Sequence, residues 1–127
     1  MQAAEILHDK NLYASSVHCS YYACLQKMIE IHLTTLEYTK ESIEDEMEKK
    51  ELSSHKFYIG NIQSKLLNKA DFDQTKAANE FKSRIKQLQD TRVKADYYDL
   101  EILIDQSSDS KFFAEQVLKI LKKYFKK

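Results

Sequence analysis

The chain contains no proline, no tryptophan and one glycine, Gly60. Tight hairpin turns depend on residues that accept positive φ, and the corners of β-sandwiches are usually built with glycine and proline. Their scarcity removes the ordinary means of making a β-rich fold, so an all-α chain is expected. Cysteine is limited to Cys19 and Cys24. Five residues apart on one helix, the two project from different faces, which makes a bridge between them geometrically poor; they read as reduced core residues. No apolar run approaches the roughly 20 residues a membrane span requires, and the first residues lack the apolar segment of a secretion signal. A cytoplasmic protein with no membrane contact is the expectation. Neither sign of charge is in excess: 20 basic and 20 acidic residues cancel, so total charge points to neither nucleic acid nor membrane.

Catalytic motifs are also scarce. There is no HExxH, CxxC, glycine-rich phosphate loop, GxSxG or EF-hand pattern, which leaves zinc hydrolysis, P-loop chemistry and triad hydrolysis without residues to perform them. No metal and no cofactor is expected. His18 and His32 fall on similar sides of one helix, but fourteen residues at the helical rise hold them about 21 Å apart. They cannot share an ion, and each reads as a packed or interfacial histidine. No internal repeat and no low-complexity tract is visible.

What the chain does have is helical periodicity over a length that suits one domain, residues 1–127. From Leu12 to Leu36, one stripe runs through Ala14, Val17, Tyr21, Leu25, Met28 and His32, and a second beside it through His18, Tyr22, Ile29, Leu33 and Leu36. The polar side is assigned to Ser16, Lys27, Glu30 and Thr34. Two adjoining apolar stripes imply several packing neighbours, hence a central helix. A short helix over residues 2–10 precedes it, with a turn at Asn11. Residues 37–51 form either an exposed helix or a loop, and serve either as a solvated connector or as an acidic interaction surface. Ser53 or Ser54 can cap the next helix, with His55, Ile59, Ile62 and Leu66 inward and Phe57 and Tyr58 broadening that face. Asp71 or Asp73 can cap another, in which Ala77 or Ala78, Phe81, Ile85 and Leu88 lie on one line. After a break over 97–106, Ser107 or Ser108 starts a last helix with Phe113, Val117, Ile120, Leu121 and Tyr124 inward. The lysines near its end, Lys119, Lys122, Lys123, Lys126 and Lys127, suit the helix dipole. The expected fold is an all-α, up-and-down bundle of four to five helices.

Charge is distributed unevenly along the chain. Three lysines face six carboxylates over residues 40–51, whereas residues 82–94 carry Lys82, Arg84, Lys86, Arg92 and Lys94 against Asp90 alone. The apolar line of Phe81, Ile85 and Leu88 runs on to Arg92. An arginine on a buried line is costly without an anionic partner. One reading pairs it with Asp96, one helical turn on. The other has its guanidinium grip a phosphate while Tyr97 or Tyr98 stacks on a base.

The motifs Ser20-Tyr21-Tyr22-Ala23 in the central helix, His55 opening the helix after the acidic segment, and Arg92-x-x-Ala95-Asp96-Tyr97 before the final helix resemble the HEPN domain family (higher eukaryotes and prokaryotes nucleotide-binding). The likeness covers nearly the whole chain and is nearest to small stand-alone HEPN proteins with an Arg-x-x-Ala-Asp-Tyr signature. It implies a helical bundle, commonly a symmetric homodimer. It also implies binding of RNA or a nucleotide and a minimal nucleotidyltransferase as partner in a toxin–antitoxin pair; taken with the basic and aromatic residues read above, the candidate ligand contacts are Arg92, Lys94, Tyr97, Tyr98 and His55. Active members are metal-independent endoribonucleases with an Arg-x4-His motif, which would make Arg92, Asp96 and Tyr97 the catalytic candidates. Here the histidine position is Tyr97, and the tyrosine that can follow it is Asp99. A phenol, with a pKa of about 10, is a poor general base for a ribose hydroxyl at neutral pH. The departure leaves enzymatic activity open. A binding module is the leading expectation, with a degenerate endoribonuclease and a non-catalytic structural subunit as alternatives.

Overall fold

The 22-residue helix α2 (Tyr13–Thr34) is the element around which four other helices are packed. The structure, a computed structural model, describes residues 1–10, 12–68, 71–97 and 104–125, and for Asn68, Asp96 and Tyr97 it describes the backbone alone. Regular structure among the described residues is entirely helical: α1 (Gln2–Asp9), α2, α3 (Lys40–Lys50), α4 (Ser54–Asn68), α5 (Phe72–Tyr97) and α6 (Ile104–Tyr124). Six helices therefore replace the expected four to five. The additional one is α3, the segment that sequence alone left between helix and loop. The expected turn at Asn11 lies outside the described residues.

Local hydrogen bonding explains why so polar a segment is helical. The Thr39 hydroxyl accepts from the Ser42 N–H at 3.1 Å, and the Ser42 hydroxyl accepts in return from the Thr39 N–H at 2.9 Å. Two N-terminal donors are thereby satisfied reciprocally, with serine in the place usually held by glutamate or glutamine. At the other end Glu51 adopts the left-handed conformation (φ 52°), and the N–H groups of Leu52 and Glu51 turn back to the carbonyls of Met47 and Glu48. Glycine is the usual residue in such a stop. Only Ile43 of α3 is buried, while Met47 and the following Leu52 lie partly buried against the core.

On α2, Val17, Tyr21, Leu25, Met28 and His32 are buried as their spacing predicts, although Ala14 is exposed. The second face is not where the large apolar residues suggested. His18 and Leu33 are exposed and Tyr22, Ile29 and Leu36 are half-buried, whereas Ser16, Ser20, Cys24 and Ile31 are buried. Ser16, expected on the polar side, donates its hydroxyl to the Ala4 carbonyl at 2.7 Å and ties α1 to α2. Side-chain size overrides polarity on this flank. The small residues of α2 meet a matching run on α6, where Ser107, Ser110 and Ala114 are buried, and the Cys24 thiol approaches the Ala114 carbonyl at 3.7 Å. A hydroxyl that bonds backbone can be buried at little cost.

Helix α6 begins at Ile104, before the expected caps Ser107 and Ser108. Ser107 lies inside the helix and shares a 2.8 Å hydrogen bond with His8 of α1. Ser53, of the two candidates, caps α4 by accepting from the Lys56 N–H at 3.4 Å. The inward residues of α4 are Phe57, Tyr58, Ile62 and Leu66, with His55 and Ile59 half-buried at the edge. Asp71 caps α5 through the Gln74 N–H at 2.7 Å. The α5 line of Ala77, Ala78, Phe81, Ile85 and Leu88 is buried as expected. Each large side chain fully withdrawn from water on that line contributes about 1.5–3 kcal/mol. Helices α5 and α6 run antiparallel, for Arg84 lies over the Phe113 ring while Asp73 and Tyr124 share one cleft. Among the described residues no helix is long and apolar enough to cross a membrane.

Candidate functional site

One helical turn beyond Leu88, the buried line of α5 delivers Arg92 to the aromatic edge of α2. Arg92 is half-buried, and its guanidinium carbon lies 5.0 Å from the centre of the Tyr21 ring. A cation over an aromatic face is attracted by the ring quadrupole, by about 0.5–2 kcal/mol depending on solvation. Tyr21 is itself fully buried and needs partners for its hydroxyl. It finds two. His55, in the first turn of α4, has its Nδ1 2.8 Å from the Tyr21 oxygen, and the Gln89 amide of α5 donates to the same oxygen at 3.4 Å. The Tyr22 ring stands edge-on to Tyr21 and to His55, with centroids 5.4 and 6.0 Å away. His18 stacks on Tyr22 at 4.5 Å with its plane tilted by 30°.

Three helices thus contribute to a cluster of one guanidinium, two phenols, two imidazoles and an amide. Burial, and secondarily the nearby Arg92 charge, hold His55 below the ordinary histidine range. Burial raises Tyr21, an effect offset in part by the Gln89 hydrogen bond and by Arg92. Near neutral pH the His55 ring is therefore uncharged and the Tyr21 phenol protonated beside the Arg92 guanidinium. The start of α4 adds a small positive potential from its free N–H groups.

Of the residues chosen from the sequence, Arg92 and His55 are brought together although 36 positions intervene between them. Lys94 is exposed and, two residues on, leaves α5 on a different side from Arg92. The side chains of Asp96 and Tyr97, and the whole of Tyr98, lie outside the described residues, as does the expected Arg92–Asp96 pair. Tyr21 and Tyr22, which the sequence places on the apolar stripes and in a motif of the resemblance but not among the candidate ligand contacts, join the cluster, as does Gln89, which no sequence pattern marks. The available signal for Tyr21 is its phenol, a hydroxyl on a largely apolar stripe that requires a polar neighbour. An open cleft of about 480 Å³, lined by Ala14, Ser15, His18, Cys19 and Ala95, meets the cluster at His18. A larger cleft of about 620 Å³ between α5 and α6 contains none of the cluster residues. Among the described residues no three histidine, cysteine or carboxylate side chains converge as a metal site would require.

A second polar group lies deeper. His32 is wholly buried, with Nδ1 2.8 Å from the Met28 carbonyl and Nε2 3.3 Å from the Asn61 amide nitrogen, which also donates to the Tyr38 hydroxyl. The rings of Tyr38, Phe57 and Tyr58 surround it. Burial depresses its pKa, against the opposing effects of the Met28 carbonyl and then the Glu46 charge, and the Lys65 charge adds a smaller depression. Nδ1–H donates to the carbonyl and Nε2 accepts from the Asn61 N–H, the pattern of a neutral ring, in keeping with its depressed pKa.

No protein-family model, no curated protein and no solved structure matches this chain.

Proposed function

We propose that this chain is a HEPN-like module that binds RNA or a nucleotide by a phosphate held at Arg92. It acts as a homodimer and pairs with a minimal nucleotidyltransferase in a toxin–antitoxin-type system. One observation carries the reading. Tyr21, His55 and Arg92, which belong to three separate stretches of the sequence resemblance, converge in one cluster on α2, α4 and α5. The buried Tyr21 hydroxyl accounts for His55 and Gln89, and the guanidinium of Arg92 brought beside them is what a phosphate site adds. The guanidinium supplies charge and paired N–H donors, the α4 N-terminus favours an anion, and the stacked His18 and Tyr22 rings beside the cluster offer a platform for a base.

Cleavage is not part of this reading. Tyr97 stands where a nuclease would need a base, and the His55 nitrogen nearest the cluster is occupied by Tyr21. The test is binding of a short fluorescent RNA and of 5′-AMP, in the presence of a chelator, by the wild type and by Arg92→Ala. Loss of one charge-assisted contact should weaken binding by about 1.5–3 kcal/mol, roughly 10- to 150-fold, and the RNA should remain intact. Equal affinity in the two proteins would refute the reading. RNA cleavage that disappears in Arg92→Ala would replace it with the endoribonuclease alternative.

A further inference from the structure

The Tyr21 hydroxyl has one hydrogen to give and two neighbours. Gln89 donates an amide N–H to the phenol oxygen, so the phenol's own hydrogen is directed at His55 Nδ1. Tyr21 is buried, which favours the phenol over the phenolate and keeps that hydrogen in place. With Nδ1 accepting, the neutral imidazole carries its proton on Nε2. That nitrogen makes no hydrogen bond among the described residues, and the ring is only half-buried. His55 therefore offers an N–H beside Arg92, not a lone pair.

We propose that His55 is a second ligand for the anion bound at Arg92, and that a phosphate oxygen received between them brings a proton with it. This rests on the phosphate-binding reading and adds its regulation by pH. In the free protein the groups facing His55 all act against a positive ring or leave it unaided. From α5 come the Arg92 charge and the Gln89 amide; from α2 come the phenols Tyr21 and Tyr22, with His18 behind Tyr22; on α4 itself the neighbour is Lys56. Among the described residues none of these groups is a carboxylate. A bound phosphate adds negative charge beside the ring and raises its affinity for a proton. The cluster can accommodate that proton without losing a hydrogen bond. Nδ1–H then donates to the Tyr21 oxygen, the phenol turns its own hydrogen toward Gln89, and the Gln89 amide rotates to present its oxygen. The proton comes from solvent, and no covalent bond changes.

Anion affinity should accordingly fall as pH rises through the neutral range, by at most tenfold per pH unit for a single proton. The probes are a dinucleoside monophosphate, whose diester keeps one charge throughout this range, and 5′-AMP, whose terminal phosphate titrates near pH 6. They also distinguish an internal phosphodiester from a terminal phosphate as the ligand. Calorimetry in two buffers of different ionisation enthalpy at pH 6.5 reads the protons taken up. With the dinucleotide, wild type should take up a fraction of a proton, and His55→Gln, which keeps an N–H donor, should bind more weakly with no uptake and no pH dependence. Nitrogen NMR of the His55 ring in the free wild-type protein should show the Nε2–H form, and Tyr21→Phe should release that preference. Binding without proton uptake, or equal uptake in His55→Gln, would overturn the proposal while leaving Arg92 as an anion site. Failure of both probes to bind, or binding indifferent to Arg92→Ala, would remove the underlying reading instead.

Discussion

Acid should destabilise this fold through His32 before it protonates most carboxylates. The ring is fully buried, its Nδ1 hydrogen is committed to the Met28 carbonyl, and its Nε2 accepts from Asn61. A second ring proton would face the hydrogens of the Asn61 amide, so Asn61 would have to turn over and exchange its bond to Tyr38 as well. The folded-state pKa thus lies below 6.5, the value for an unperturbed histidine. Below that value the unfolded chain binds a proton that the folded one refuses. Stability contributed by the neutral ring is complete above about pH 6.5 and declines as pH falls, until the folded pKa is reached. The slope approaches about 1.4 kcal/mol per pH unit for one proton. His55 shifts in the same direction, so two such histidines allow up to about twice that slope. Urea unfolding at half-unit steps from pH 7.5 to 5.5 measures it. His32→Gln lowers stability at pH 7.5 but should flatten the profile, with His55→Gln removing the smaller remainder. A wild-type profile that is level over this range, or one that keeps its full slope in His32→Gln, would refute the reasoning.

Three further outcomes follow from packing and burial. Phe81, fully buried on α5, should cost about 3–5 kcal/mol when cut to alanine, read as a lower urea midpoint at unchanged slope. Of the two free thiols Cys24 is buried and pushed up to about 12, while Cys19 is half-exposed, so a thiol reagent should label Cys19 in the native protein and Cys24 only after unfolding. Gly60 is exposed within α4 with nothing within 4 Å of the position a Cβ would take; Gly60→Ala should therefore raise stability by about 0.5–1 kcal/mol, and a loss on thermal melting would show that something closes on that face.

The helical class and the central place of α2 were legible because large apolar residues recur at helical spacing and the turn formers of β-structure are missing. The α5 line from Ala77 to Leu88 was readable for the same reason. Where reading failed, side-chain size and hydrogen bonding decided the outcome. Ser16 and Ser107 look polar, yet their hydroxyls find Ala4 and His8 and let helices close up. Helix α3 has little apolar pattern and is set by a reciprocal cap between Thr39 and Ser42. Arg92 could be singled out, since a charge ending an apolar line is conspicuous. Its convergence with Tyr21, His55 and Gln89 could not, because spacing along one helix gives no information about which residue of another helix arrives opposite it.

The way α3 is attached also bears on how the chain tolerates change. Left-handed residues stand on both sides of it, Glu37 (φ 59°) before and Glu51 (φ 52°) after, and little more than Ile43 and Met47 anchors it. A segment hinged at both ends and shallowly seated is where length variation, a spliced tag or a grafted peptide would cost the rest of the molecule least. The Tyr21 cluster, built from three other helices, would survive such an insertion, and the exposed residues 48–50, clear of Tyr38 and Ile43, are the natural place to carry a reporter.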